Sequence, residues 1–408
     1  MNRPLVALLA ALFAGGVAAA PVKALLPAYV ESVLHQPPLL TSVLLAVQLG
    51  CGGLFALAGG AVSDLVSRRA AVLVGLTSAL FGAALFAVQA PAALVAIAVL
   101  WGIAGGFQSA GGQSFLMAAV SRARLGSATA VYFISSTASG ALGAYLAGVA
   151  ADRWGFYAVT IGAAALALLA FALAAVFLPP LGSDGAASSR RAGLAAWTVG
   201  SYGDLLRRSD VLALGALRYF PTVAWGAASL AVPLLVFRHS GTTATVGLYG
   251  MVSLLAASAA QLATGRQVDR LTHRSGGSPA GSPRRLVAPL TTAILLSAVG
   301  AALLSRSLPG LFVAGTLWAM SAWALSTTMP PLIHELGEGR DDGRLVALTH
   351  LLWSAGMLSG TLAAGALVDL HPSAPFVLAA ACLVVTLAVG LRFGRSIPSG
   401  VSSVSSAL

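Results

Sequence analysis

Lys23, Arg218 and His350 stand inside long apolar stretches of this sequence, and no Asp or Glu lies within those stretches to accompany them. A cation in hydrocarbon is unfavourable unless it reaches water, a partner or a ligand. Each such residue therefore marks either a wetted path or a side chain stretching to the membrane surface. Lys23 and Arg218 carry the chemistry of anion binding. His350, with a reference pKa near neutrality, carries that of proton exchange, against the plainer reading of a structural histidine. Other chemistries lack their residues. The six histidines, His35, His239, His273, His334, His350 and His371, show no HExxH-like spacing. Cys51 and Cys382 both lie in apolar segments and read as small packing residues rather than metal ligands or a disulfide. No Walker motif, filter-like segment or nucleophile–base cluster is present, so the sequence argues against an enzyme, an ATP-driven pump and a channel. It calls for no cofactor and no metal.

Positioning such residues falls to membrane helices. Only 9% of the 408 residues are Asp, Glu, Lys or Arg and 58% are hydrophobic, where a soluble protein carries about 25% charged residues to wet its surface. Twelve apolar stretches of spanning length lie near 4–30, 39–62, 70–89, 92–117, 126–149, 155–178, 211–236, 243–265, 286–305, 309–331, 345–367 and 374–392. The expected fold is an all-α polytopic membrane protein. Placing the N-terminus in the cytoplasm puts eighteen arginines on inner segments and three, Arg153, Arg238 and Arg306, on outer ones. That bias matches the orientation rule for short loops. It also accounts for the net charge of +11 without nucleic acid. Both termini are expected in the cytosol, in a chain spanning the inner (plasma) membrane many times and bathed by the lipid bilayer.

The opening stretch, MNRPLVALLAALFAGGVAAAP, also has the charge, apolar core and small-residue site of a secretory signal. An internal repeat argues for keeping it as helix one. GALGAYLAGVAAD at 140–152 aligns with MLSGTLAAGALVD at 357–369, setting Gly143 on Gly360, Gly148 on Gly365 and Asp152 on Asp369. GGAVSD at 59–64 aligns with TGRQVD at 264–269. Each half needs six helices, so the expected organisation is a six-helix bundle over 1–178, a connector over 179–210, a second bundle over 211–395 and a tail over 396–408. The two bundles are related by a pseudo-twofold axis along the membrane normal. Gly140, Gly143, Gly148, Gly356, Gly360 and Gly365 give the fifth helix of each half a smooth face for close packing.

On these residues the chain resembles the major facilitator superfamily over essentially its whole length, closest in pattern to the bacterial drug-exporter-like members. The family signature Gly-x-x-x-Asp-Arg-x-Gly-Arg-Arg appears as GAVSDLVSRR at 60–69 and again as GRQVDRLTHR at 265–274. The first copy keeps Gly60, Asp64, Arg68 and Arg69 and departs at Leu65 and Ser67. The second keeps Gly265, Asp269, Arg270 and Arg274. The resemblance implies a conformational latch at these residues, with Asp64 near the start of helix three, where unpaired amides favour a carboxylate. Anchoring of topology is the plainer role of Arg68 and Arg69. The exporters' Gly-Pro pair in helix five is replaced by Gly140-Ala141, and Trp101 or Gly102 stands where many exporters carry an arginine in helix four.

The resemblance further implies alternating access around a path lined by helices one, four, seven and ten. Candidates along it are Lys23, Gln108, Gln113, Arg218, Tyr219, Trp225, Trp318, Trp323 and Thr327, with Gln48 and His350 added from helices two and eleven. Lys23 either snorkels outward or meets an anion, a carbonyl or a carboxylate such as Glu31. Such a path suits a small, largely apolar or amphipathic solute. The expected activity is secondary transport, export coupled to protons, by a protein working as a monomer. Uptake or exchange of a small organic anion is the alternative.

Overall fold

In a bilayer the backbone must satisfy its own hydrogen bonds, which leaves helices as the solution for apolar runs of this length. The computed structural model of the chain describes residues 3–65, 67–119, 125–180, 203–274, 282–337 and 342–395. Helices dominate them. In the first half α1 is Arg3–Ser32, α2 Pro38–Leu65, α3 Arg68–Ala84 and α4 Pro91–Ala119. The helix Leu125–Phe177 breaks at Gly155, whose φ of 77° and ψ of 171° suit glycine alone, and its two arms are α5 (125–154) and α6 (156–177). The second half contains α7, Ser209–Ser240; α8, Thr243–Arg274; α9, Arg284–Leu303; α10, Leu308–Thr327; α11, Asp342–Leu367; and α12, Ala374–Arg395. A single turn, Gly203–Leu206, precedes α7, and a short helix, Met329–Gly337, follows α10. Ten helices among the described residues are long and apolar enough to cross a membrane, one of them holding both α5 and α6. The chain is a multi-pass integral membrane protein. The connector at 181–202 and the tail at 396–408 lie outside the described residues.

Packing reproduces the repeat. In the first bundle α1 packs on α5, α2 on α4, α3 on α4, and α3 on α6; in the second, α7 packs on α11, α8 on α10, α9 on α10, and α9 on α12. Each of these four pairings has its counterpart. The bundles meet along two equivalent seams, α5 against α8 and α11 against α2. The opening stretch is a structural member of its bundle: Leu5, Leu8, Leu9 and Ala11 are buried with Val72, Phe115 and Ala174. We call the end of the bundles that carries Arg3 and Arg395 proximal, and the other distal.

One boundary differs from the sequence expectation. Asp64 falls in the last turn of α2, because helical hydrogen bonding runs through Leu65 and resumes only at Arg68, with Ser67 extended at the N-cap. Asp64 thus belongs, by its backbone, to the C-terminus of α2.

Candidate functional site

The duplicated glycines divide between two tasks. A β-carbon on Gly143 would collide with the Val17 carbonyl of α1, and one on Gly360 with the Val223 carbonyl of α7. These contacts hold each fifth helix on the first helix of its own bundle. Gly356 joins them, its would-be β-carbon 2.7 Å from the Tyr219 carbonyl. One to two turns further on, Gly148 abuts Thr243 of α8 and Gly365 abuts Ser42 of α2, each in the opposite bundle. Gly140 faces Leu254 of α8. Helices α5 and α11 are thereby two-faced, welded to their own bundle on one side and pressed on the other bundle at the distal end of the other. Small residues permit that approach, and backbone contact over such faces is what joins helices in lipid.

Polar contacts close the distal end. Asp152, at the end of α5, accepts from the backbone N–H of Thr243 at 2.7 Å, that of Ala244 at 2.8 Å and the Thr243 hydroxyl at 2.5 Å. It therefore caps the N-terminus of α8 across the seam, where a carboxylate is favoured by unpaired amides and the helix dipole. Arg238, at the end of α7, pairs with Glu31 of α1 at 2.8 Å and with Asp369, just past α11, at 2.8 Å. Midway along the seam the Ser258 hydroxyl donates to Thr137 at 2.7 Å. Between described residues, the cross-bundle hydrogen bonds and ion pairs lie at these distal and middle levels. Sequence reasoning placed Glu31, Asp152 and Asp369 at helix ends but missed their partners. The legible signal was three carboxylates on a side with only three arginines.

The proximal end has its own anchors. Arg69 donates to the Ala175 carbonyl at the end of α6, within its own bundle. Arg284, at the start of α9, pairs with Glu335 at 2.7 Å and lies 4.4 Å above the Phe393 ring of α12. Arg208 reaches Asp210 and the Leu336 carbonyl, tying the entry of α7 to the short helix. Arg68 precedes Arg69 at the start of α3; Gly265 and Arg270 lie on α8, with open space beside Gly265 and Arg270 exposed. The side chains of Gly60, Asp64, Gln113, Asp269 and Arg274 lie outside the described residues.

Of the path candidates, one group converges. Arg218 Nη1 of α7 lies 3.5 Å from Ser326 Oγ of α10, and one level further on Trp225 and Trp323 meet edge to face at 6.4 Å. His350, on α11, is exposed. Lys23 is exposed, and Glu31 pairs with Arg238 rather than with it. The other described candidates make contacts of their own. Gln108 accepts from Ser78 of α3 at 2.8 Å, and Gln48 lies against Gly102 and Gly105 of α4. Tyr219 meets Ser359 of α11 at 3.1 Å, and Thr327 donates to its own helix at Trp323. Trp318 is fully buried against Phe376 in the core of the second bundle, where an indole of this volume fills the space between α10 and α12.

Solved proteins share this architecture. A peptide transporter POT in complex with alafosfalin aligns with a TM-score of 0.73 at 16% identity, covering 98% of this chain and 96% of that one. The nucleoside transporter NupG gives 0.73 at 12% identity, over 96% and 100%. The human organic anion transporter MFSD10 gives 0.64 at 18% identity, over 95% and 99%. Likeness at these identities speaks for the fold. No curated protein matches the sequence. Two repeated bundles, two equivalent seams and a sequence that fits the family model over residues 6–281 place the chain in the Major Facilitator Superfamily.

Proposed function

We propose that the protein is a secondary transporter that moves a small, largely apolar or amphipathic solute by alternating access, exporting it against proton entry. The observation that carries this reading is the distribution of cross-bundle contacts: Asp152 on the α8 N-terminus and Arg238 on Glu31 join the bundles at the distal end. Arginine asymmetry makes the proximal end cytoplasmic, so this conformation is closed to the outside. Rocking of the bundles about the seam then exposes the path lined by Arg218, Trp225, Trp323 and His350 to each side in turn. An ion gradient is the energy source that fits a chain with no Walker motif, and His350 is the proton-exchanging group along the path. The small-residue spacing of α5 is the feature shared with drug-exporter-like members, and by itself it provides a tight interface through Gly143 and Gly148. Solved proteins of this fold are named as nucleoside, peptide and organic anion transporters. The protein works as a monomer in the inner (plasma) membrane with both termini in the cytosol. Uptake or exchange of an organic anion is the second reading, favoured by Lys23 and Arg218 having no carboxylate within the spans.

Counterflow in proteoliposomes across a panel of dyes, organic acids and sugars, with and without a pH gradient, tests the reading. Accelerated exchange of an amphipathic member is expected. The latch assignment of Gly60, Asp64, Arg68 and Arg69, and of Gly265, Asp269, Arg270 and Arg274, is tested separately. Asp64→Ala is expected to insert normally and lose most turnover, and full counterflow by this variant would remove the latch.

A further inference from the structure

We propose that the second bundle carries a headgroup site for a small amphipathic anion, an organic acid with an apolar or aromatic body, where α7 faces α10. The proposal rests on the transport reading and names its solute class. Arg218, Thr222 and Trp225 recur at spacings of four and three, so they share one face of α7; Trp323, Ser326 and Thr327 share one face of α10 in the same way. The two faces oppose each other at two levels, Arg218 to Ser326 and Trp225 to Trp323.

What this face offers is donors. Arg218 Nε and Trp323 Nε1 are both buried without an acceptor. The guanidinium's contact to Ser326 is long, at 3.5 Å. Thr222 and Thr327 direct their hydroxyl protons to the carbonyls of Arg218 and Trp323, which ties the two hydroxyls to their own helices. The chain's twelve acidic residues all lie outside the apolar spans, so none supplies the missing acceptor. A snorkelling arginine would hold its head in water, whereas Arg218 Nε is sealed from it. A cation with unmet, buried donors is stabilised by an anion that takes them, and the planar guanidinium suits a carboxylate. The tryptophan pair one level deeper offers surface to the apolar part of the same solute. A neutral solute can accept from the donors through a carbonyl but leaves the guanidinium charge unpaired, and a cationic one meets Arg218 with like charge.

The site is tested by equilibrium binding to the detergent-solubilised full chain, using a series of arylalkyl acids, beginning with 2-naphthoate, each beside its neutral amide. The acids are expected to bind about tenfold or more tightly than their amides, the ratio for one charge-assisted hydrogen bond. Arg218→Gln should abolish that preference and Arg218→Lys should retain part of it. Trp323→Phe, which keeps most of the ring surface and removes the N–H, should weaken the acid several-fold and the amide less, because the bond to the anion is charge-assisted. Acid and amide behaving alike across the series, or a preference that survives Arg218→Gln, overturns the site. A protein that binds the acids but shows no counterflow refutes the transport reading alone, and one that transports without regard to charge refutes the site alone.

Discussion

Asp152 holds the most heavily used side chain at the seam, with three donors from the opposite bundle on one carboxylate. Removing a capping carboxylate costs about 1–2 kcal/mol, and here the loss falls on the joint between bundles as well as on α8. Asp152→Ala should lower the thermal unfolding midpoint in detergent more than Asp152→Asn, which keeps one acceptor oxygen. Equal midpoints for both variants and the parent would mean that the cap is idle. Arg238 differs. Its side chain is 30% exposed, and exposed ion pairs contribute about 0–1 kcal/mol. Its importance lies in where it acts, bridging Glu31 of one bundle and Asp369 of the other at the lip of the path.

At the scale of elements, the two-faced helices α5 and α11 explain why glycine recurs where it does. Gly143 and Gly360 are set by their own bundles, Gly148 and Gly365 by the opposite one. The two pairs should respond differently to a side chain. Gly148→Val or Gly365→Val should hold the distal seam apart, because overpacking of a tight contact costs about 1–3 kcal/mol. A cysteine placed at the buried Ala151, in a chain lacking Cys51 and Cys382, should then label faster from outside. Unchanged labelling would show that the seam accommodates the extra volume. Gly155 is a third case. Nothing lies within 4 Å of a β-carbon there, yet its φ is 77°, so Gly155→Ala should destabilise the turn between α5 and α6 through backbone strain of about 1–3 kcal/mol. Its effect should appear in unfolding, with Ala151 labelling unaltered.

For the whole molecule, the claim is that the distal joint must break in every cycle. Cysteines replacing Glu31 and Arg238, joined by a reducible cross-linker, should stop counterflow and release it on reduction. Counterflow that continues with the ends tethered would refute rocking of the bundles about this seam. Stability and turnover pull in opposite directions here. Every contact that strengthens the distal closure raises the barrier to opening it, which is why exposed and individually weak pairs suit the position.

The pattern of apolar stretches determined where the helices and the two-bundle repeat fall, because apolar length is a local property that adds along the chain. The 217-residue spacing between Gly143 and Gly360 already pointed to equivalent helices. Sequence could not say which glycine faces which bundle, since a helix presents all its faces and only the neighbour selects one. It likewise left Trp318 and Trp323 on the same footing, though five residues apart on α10 they point to different neighbours, one into the bundle core and the other toward Trp225. Arg238 with Glu31, 207 residues apart, and Asp152 with Thr243, 91 apart, became partners only through the docking of the two bundles. Charge pairing across such distances is decided by tertiary geometry, because nothing in the local chain constrains where the other end will fall.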